Sequence, residues 1–226
     1  MPTLYDKDWL QDPLTETKHR SYKPRKLKNQ NNEQSEQWEI FHFATRLKLD
    51  GADFFCRQAL GAASMPDDLG LPLLAHRQQE WYLDAFFFEL MAACDTLLQE
   101  LNIVYAYDLG LKPEGVRWNN KSKNKFMKKL PEEIFNHIEA ERKKDWFCKA
   151  QWYRNTATHH YTVPLGSRKA GFGDEPLDYS EHQVSMHYLD DSGNLKSEDI
   201  NQCIEYLRRM VKFISHIWTE MALAFE

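Results

Sequence analysis

The chain has no hydrophobic run long enough to cross a bilayer. Across its 226 residues the best candidate, Ala85 to Cys94, is interrupted by Glu89 and followed at once by Asp95, whereas a spanning helix needs about 20 apolar residues. Cysteine is scarce as well. Cys56, Cys94, Cys148 and Cys203 stand far apart with no CxxC pair, which argues against a disulfide framework or zinc knuckle and for buried, reduced thiols. Glycine and proline number nine each, too few for a collagenous or low-complexity chain. The first residues carry Asp6, Asp8, Asp12 and Glu16 without an apolar core. They do not read as a secretory signal, so the expected location is cytoplasmic.

What is present is a globular composition, 42% apolar and 28% charged, which can bury a core. The length suits one domain with an extension. The net charge is -5, yet the basic residues are clustered. Lys18 to Lys28 contains six Lys or Arg and no acid; Lys112 to Lys129 contains seven and one acid, Glu114. Each block taken alone is a solvated surface, but local positive potential matters more to a phosphate chain than net charge does.

Residues 1–30, with three prolines and no sustained apolar period, read as an irregular basic arm. Residues 31–226 read as a single helical domain with a loop and β-hairpin insertion near 164–196. Helical spacing starts near Glu33 through Trp38, Phe41 and Thr45, with Ile40, Phe43 and Leu47 widening the stripe. Asp50 and Gly51 predict a break before a second short helix. From Leu73 to Tyr105 one line holds Trp81, Ala85, Phe88 and Ala92, and another holds Leu83, Phe87, Leu90, Cys94, Leu97 and Leu101. A helix apolar over so much of its circumference belongs at the centre of a bundle. The lysine-rich stretch Asn119 to Lys129 predicts a short exposed helix. Pro131, with Glu132 and Glu133 beside it, opens another long helix expected to reach about His160, with Trp146, Ala150, Tyr153 and Ala157 as its core line. Val184, Met186 and Tyr188 alternate before the turn Asp190 to Asn194, and Ser197 is placed to cap a last helix through Leu207, Val211, Ile214 and Trp218. The fold class is therefore all-α, a helical bundle with one small β-hairpin before the C-terminal helix.

The segment that carries chemistry is Arg154-Asn155-Thr156-Ala157-Thr158-His159-His160-Tyr161. A helix end needs only Gly or Asn for closure; this one gathers a guanidinium, an amide, two hydroxyls, two imidazoles and a phenol. The arginine can grip a phosphate with a forked pair of donors, and an imidazole titrating near neutrality can move a proton to or from a sugar hydroxyl. Together they suffice to cleave RNA without metal, because the ribose 2′-hydroxyl is already the nucleophile. The bland alternative is that Arg154 bonds helix carbonyls or an acid on the facing helix, Glu89 or Asp95, and that His159 is a satisfied core histidine. His160 and Tyr161 are candidates to touch substrate or simply to pack. His159, His160, His182 and His187 have no fixed mutual spacing, so neither a metal nor another cofactor is expected.

The spacing of Arg154 and His159 resembles the R-x4-H motif of the HEPN (higher eukaryotes and prokaryotes nucleotide-binding) superfamily, and Asn155 matches the polar residue that commonly follows the arginine. With Tyr161 it also resembles the R-x4-H-x-Y form of HEPN toxins. The resemblance implies a helical bundle acting as a metal-independent endoribonuclease in a toxin–antitoxin, phage-defence or RNA-processing role. Arg154 and His159 would be catalytic, with Asn155, His160 and Tyr161 contacting substrate. It implies a homodimer and, for the toxin form, a partner nucleotidyltransferase-type antitoxin that modifies the tyrosine. A non-catalytic module binding RNA, a nucleotide or a partner protein is the alternative. On an ideal helix the two motif positions point roughly 140° apart, so either the last turn loosens around Thr156 and Thr158 or two copies share one cleft.

Overall fold

The computed structural model describes residues 12–18, 21–24, 27–28, 31–62, 72–110, 116, 125–159, 162–167, 184–190 and 192–225. Within these, five helices carry the fold: α1 (Asn32–Ala62), α2 (Pro72–Ala106), α3 (Glu132–Arg142), α4 (Asp145–His159) and α5 (Gln202–Met221). The class is all-α with a small sheet before the last helix, as the spacing predicts. No helix among the described residues is long and apolar enough to cross a membrane.

Helices α1 and α2 pack antiparallel along their lengths. Gln34 Nε2 near one end donates to the carbonyl of Ile103 at 2.7 Å, and Gln79 Nε2 near the other donates to the carbonyl of Ala59 at 3.1 Å. The break predicted at Asp50 and Gly51 does not occur. A methyl group at Gly51 would sit 3.2 Å from a carboxylate oxygen of Glu89. The glycine lets two helices approach rather than stopping one. Trp38, Thr45, Leu49, Ala52 and Cys56 of α1 face the core, against Leu83, Phe87, Leu90, Cys94, Leu97 and Leu101 of α2 and Leu207, Val211, Ile214 and Trp218 of α5. The first apolar line on α2 is not core: Trp81 and Phe88 are exposed, as are Ile40, Phe43 and Leu47 on α1.

The single long helix predicted from Pro131 is two. α3 ends at Arg142, Lys143 and Lys144 form a tight bend, and α4 starts at Asp145. The run from Glu139 to Asp145 offers Ala140 alone as an apolar residue, so no core line holds the helix straight, and the carboxylate of Asp145 complements the positive end of a fresh helix dipole. Ser197 does not cap α5. It lies in a strand opposite His187, within a three-stranded antiparallel sheet of β3 (Leu165–Ser167), β4 (Val184–Leu189) and β5 (Leu195–Asp199) in that order. The predicted hairpin is β4–β5; β3 adds a strand from what was expected to be loop.

The arm expected to be irregular contains a two-stranded antiparallel hairpin, β1 (Thr15–Lys18) with β2 (Ser21–Pro24). It is pinned at both ends. Leu14 is fully buried, Leu27 bridges to Phe225, and Asp12 pairs with His42 and Arg46 of α1. The lysine-rich stretch lies mostly outside the described residues. Its end forms a 3-10 turn, Met127–Lys129, held by buried Phe126 and Met127.

Candidate functional site

Helix α4 is fixed from inside by Tyr153. Its ring stacks on Phe87 of α2, with centroids 4.6 Å apart and planes 23° from parallel, and both side chains are fully buried. One residue on, the helix has turned by about 100°, and Arg154 emerges where α4 borders α2. There Nη2 donates to Asp95 Oδ2 at 3.2 Å and Nη1 to Asn155 Oδ1 at 3.2 Å. The arginine side chain is 30% exposed and that of Asp95 is 52% exposed. A pair this open to water stabilises the fold by no more than about 1 kcal/mol, so its consequence is orientation. The guanidinium is held at the surface with donors left for an incoming phosphate.

Of the two acids proposed to meet Arg154, Asp95 does so. Glu89 turns instead to Lys48 of α1, 3.0 Å away. Thr158 Oγ1 donates to the Arg154 carbonyl at 2.6 Å, and α4 remains α-helical to His159. The loosened last turn does not form. On one regular helix the directions of residues 154 and 159 stay roughly 140° apart, so a single copy brings together Arg154, Asn155 and Asp95 and leaves position 159 on another line. His160 and Tyr161 lie outside the described residues, as does His182. Among the described residues no three His, Cys, Asp or Glu side chains gather as metal ligands would.

Sequence reasoning missed two carboxylates that position this region. Asp84 of α2 accepts the backbone N–H of Val163 at 2.7 Å, which pulls the chain back onto α2 just past the motif. Burial pushes its pKa up to about 6, against the lowering effect of that N–H. The only sequence signal is an aspartate interrupting the apolar stretch before Phe86, which reads equally well as surface. The other is Glu100, fully buried, whose carboxylate takes hydrogen bonds from Thr45, His42 Nδ1 and Trp218 Nε1. His42 Nε2 reaches Asp12 at 3.1 Å on its other side. Burial pulls the His42 imidazolium down, but Glu100 and Asp12 outweigh it and hold the pKa up at about 9. This network knits the arm, α1, α2 and α5.

Two shallow clefts open elsewhere. One lies beside Trp146, Lys149, Glu198 and Tyr206; the other lies beside His137, Lys144, Arg209 and Lys212. Neither is lined by Arg154.

A family model described as Cthe2314-like HEPN matches residues 51–221. No curated protein and no solved structure matches the chain. The matched span runs from the middle of α1 to the end of α5 and includes Asp95 and the whole eight-residue motif.

Proposed function

From the premise that the chain belongs to the Cthe2314-like HEPN family, we propose that it is a metal-independent endoribonuclease acting through Arg154 and His159. The observation that carries this reading is Arg154 itself, anchored by Asp95 and Asn155 at the exposed border of α2 and α4. A purely structural arginine ends in a buried or closed set of partners; this one keeps an open side.

In the proposed reaction the ribose 2′-oxygen attacks the adjacent phosphorus as a base takes its proton. The bond to the 5′-oxygen breaks, an acid protonates the departing oxygen, and the products carry a 2′,3′-cyclic phosphate and a 5′-hydroxyl. Arg154 steadies the charge growing on the phosphoryl oxygens. His159 is the proton-transfer group. Because the step needs both a base and an acid, and one regular helix does not turn residues 154 and 159 to one point, two chains sharing a cleft supply what one lacks. Asn155 holds the guanidinium, and His160 and Tyr161 contact substrate. If the chain acts as a toxin, a nucleotidyltransferase-type antitoxin would target Tyr161.

Arg154→Ala and His159→Ala are each expected to lower RNA cleavage in excess EDTA by at least about a hundredfold, with unchanged thermal melts. Equal cleavage by wild type and both variants would place the activity elsewhere. The carboxylate against Arg154 favours a second reading, a module that binds RNA, a nucleotide or a partner protein without turnover. That reading predicts affinity falling steeply with salt and no product at any enzyme concentration.

A further inference from the structure

The cleft where α3, α4 and α5 meet has a volume of about 220 Å³ and gathers positive charge from separate parts of the chain. Lys144 comes from the bend after α3, and Arg209 and Lys212 stand one turn apart on α5; Glu141 is the one carboxylate lining it. Each cation keeps donors for a ligand. Lys212 is exposed and has no ion pair among the described residues. Arg209 gives its Nε to Glu205 at 2.9 Å, which leaves the two terminal nitrogens of the fork. Glu141 is already engaged on both oxygens, by Lys144 on one and by Trp146 Nε1 at 3.2 Å on the other, so it holds Lys144 at the cleft while the ammonium retains further donors. His137 also lines the cleft. Its ring stacks on Phe213 with centroids 5.6 Å apart and lies 3.9 Å from that of His216, and its Nε2 is buried with no hydrogen-bond partner among the described residues. A buried polar nitrogen ordinarily has a partner, and an anion bound beside it would supply one.

We propose that this cleft binds a phosphate monoester, carried by a small molecule or by the end of an RNA chain. Three cations against one carboxylate leave two positive charges, which matches the roughly −1.5 to −2 of a phosphate monoester near neutral pH; a diester carries only one negative charge. Shape agrees as well. A monoester offers three terminal oxygens, enough for the arginine fork to span two while the lysines meet the third, whereas a carboxylate has only two. At about 30 Å³ for each water displaced, the cleft has room for the phosphate and the first atoms of its carrier. Trp146 stands in the first turn of α4, so the positive end of that helix dipole borders the same space, and the Asp145 carboxylate beside it is paired with Lys149 at 2.8 Å in the neighbouring cleft. Trp146 and Arg154 are eight residues apart on α4, about 12 Å along its axis. The cleft is therefore separate from the motif and does not rest on the ribonuclease reading.

Nuclear magnetic resonance on the isotope-labelled full chain tests it, because the Trp146 indole N–H lies at the cleft and reports on it locally. Inorganic phosphate added at constant ionic strength should shift that resonance saturably, and chloride should not. Lys212→Ala, which breaks no ion pair of the fold, should weaken phosphate about tenfold, and Lys212→Glu should abolish the shift. Lys196→Ala, an exposed lysine on β5, and Arg154→Ala should both leave it unchanged. An oligoribonucleotide with a 5′-phosphate, compared with its 5′-hydroxyl form, identifies the carrier. Affinity for the phosphorylated oligomer well above that for inorganic phosphate assigns the cleft to RNA ends, and equal affinity assigns it to small phosphate esters. No saturable shift of Trp146, or a shift that Lys212→Glu does not alter, overturns the proposal. A saturable shift in a chain that cleaves no RNA keeps the cleft and removes only the ribonuclease reading.

Discussion

On the ribonuclease reading, Asp95 acts through the guanidinium it sits against rather than on a reacting atom, and that fixes its expected signature. As a positioning residue it neutralises part of the Arg154 charge while aiming it. Asp95→Asn keeps the shape and removes the charge. Phosphate binding should then tighten while turnover slows, so KM and kcat fall together, and the melting temperature should hardly move because an exposed pair contributes at most about 1 kcal/mol. Arg154→Lys should fail to rescue the activity, since an ammonium lacks the planar fork that spans two phosphoryl oxygens. The candidate motif could be picked out in eight consecutive residues because the chemistry proposed for it is local. Asp95 was legible as one of two candidates. Choosing it over Glu89 required knowing which side of α2 faces α4 and which faces Lys48 of α1.

At the scale of elements, Gly51 and Asp84 show how a residue that looks like an interruption acts as a joint. Gly51→Leu should cost about 1–3 kcal/mol through overpacking, although leucine is the better helix former, because the side chain would strike Glu89 where α1 and α2 close. Chemical denaturation would show this as a lower midpoint. The Asp84 carboxyl, raised to about 6 in the folded chain against 3.8 for the ordinary group, binds its proton more tightly when folded. Its contribution to stability is full below pH ~4 and is lost as pH rises through 6. Asp84→Asn should flatten the stability profile over that interval. The bend between α3 and α4 belongs to the same lesson: the sequence reads as one helical run because charged residues favour helix well enough, and only the lack of an apolar line across Glu139 to Asp145 marks the joint.

The whole molecule is tied together at His42. With Asp12 from the arm, Glu100 from α2 and Trp218 from α5 on its ring or on its partner carboxylate, this one side chain joins segments far apart in sequence. His42→Ala leaves a buried carboxylate without its cation and should cost about 3–5 kcal/mol, with the arm becoming the first segment open to protease. Because the folded pKa is raised to about 9 from 6.5, the stabilisation is complete below pH 6.5 and declines as pH climbs through 9. A thermal-melt series from pH 6 to 10 should fall in wild type and stay flat in His42→Gln.

Sequence alone determined the class and the hairpin near 184–199, since each depends on the period of apolar residues within a few positions, and it offered the octapeptide as the candidate site. Only the tertiary structure decided which apolar line is buried. Leu83 and Phe87 sit in the core while Trp81 and Phe88, equally hydrophobic and on the same helix, face water. Periodicity shows that a face is apolar but not what covers it; that is settled by where α1, α4 and α5 run across α2, which is a property of the packed chain and not of any stretch of it.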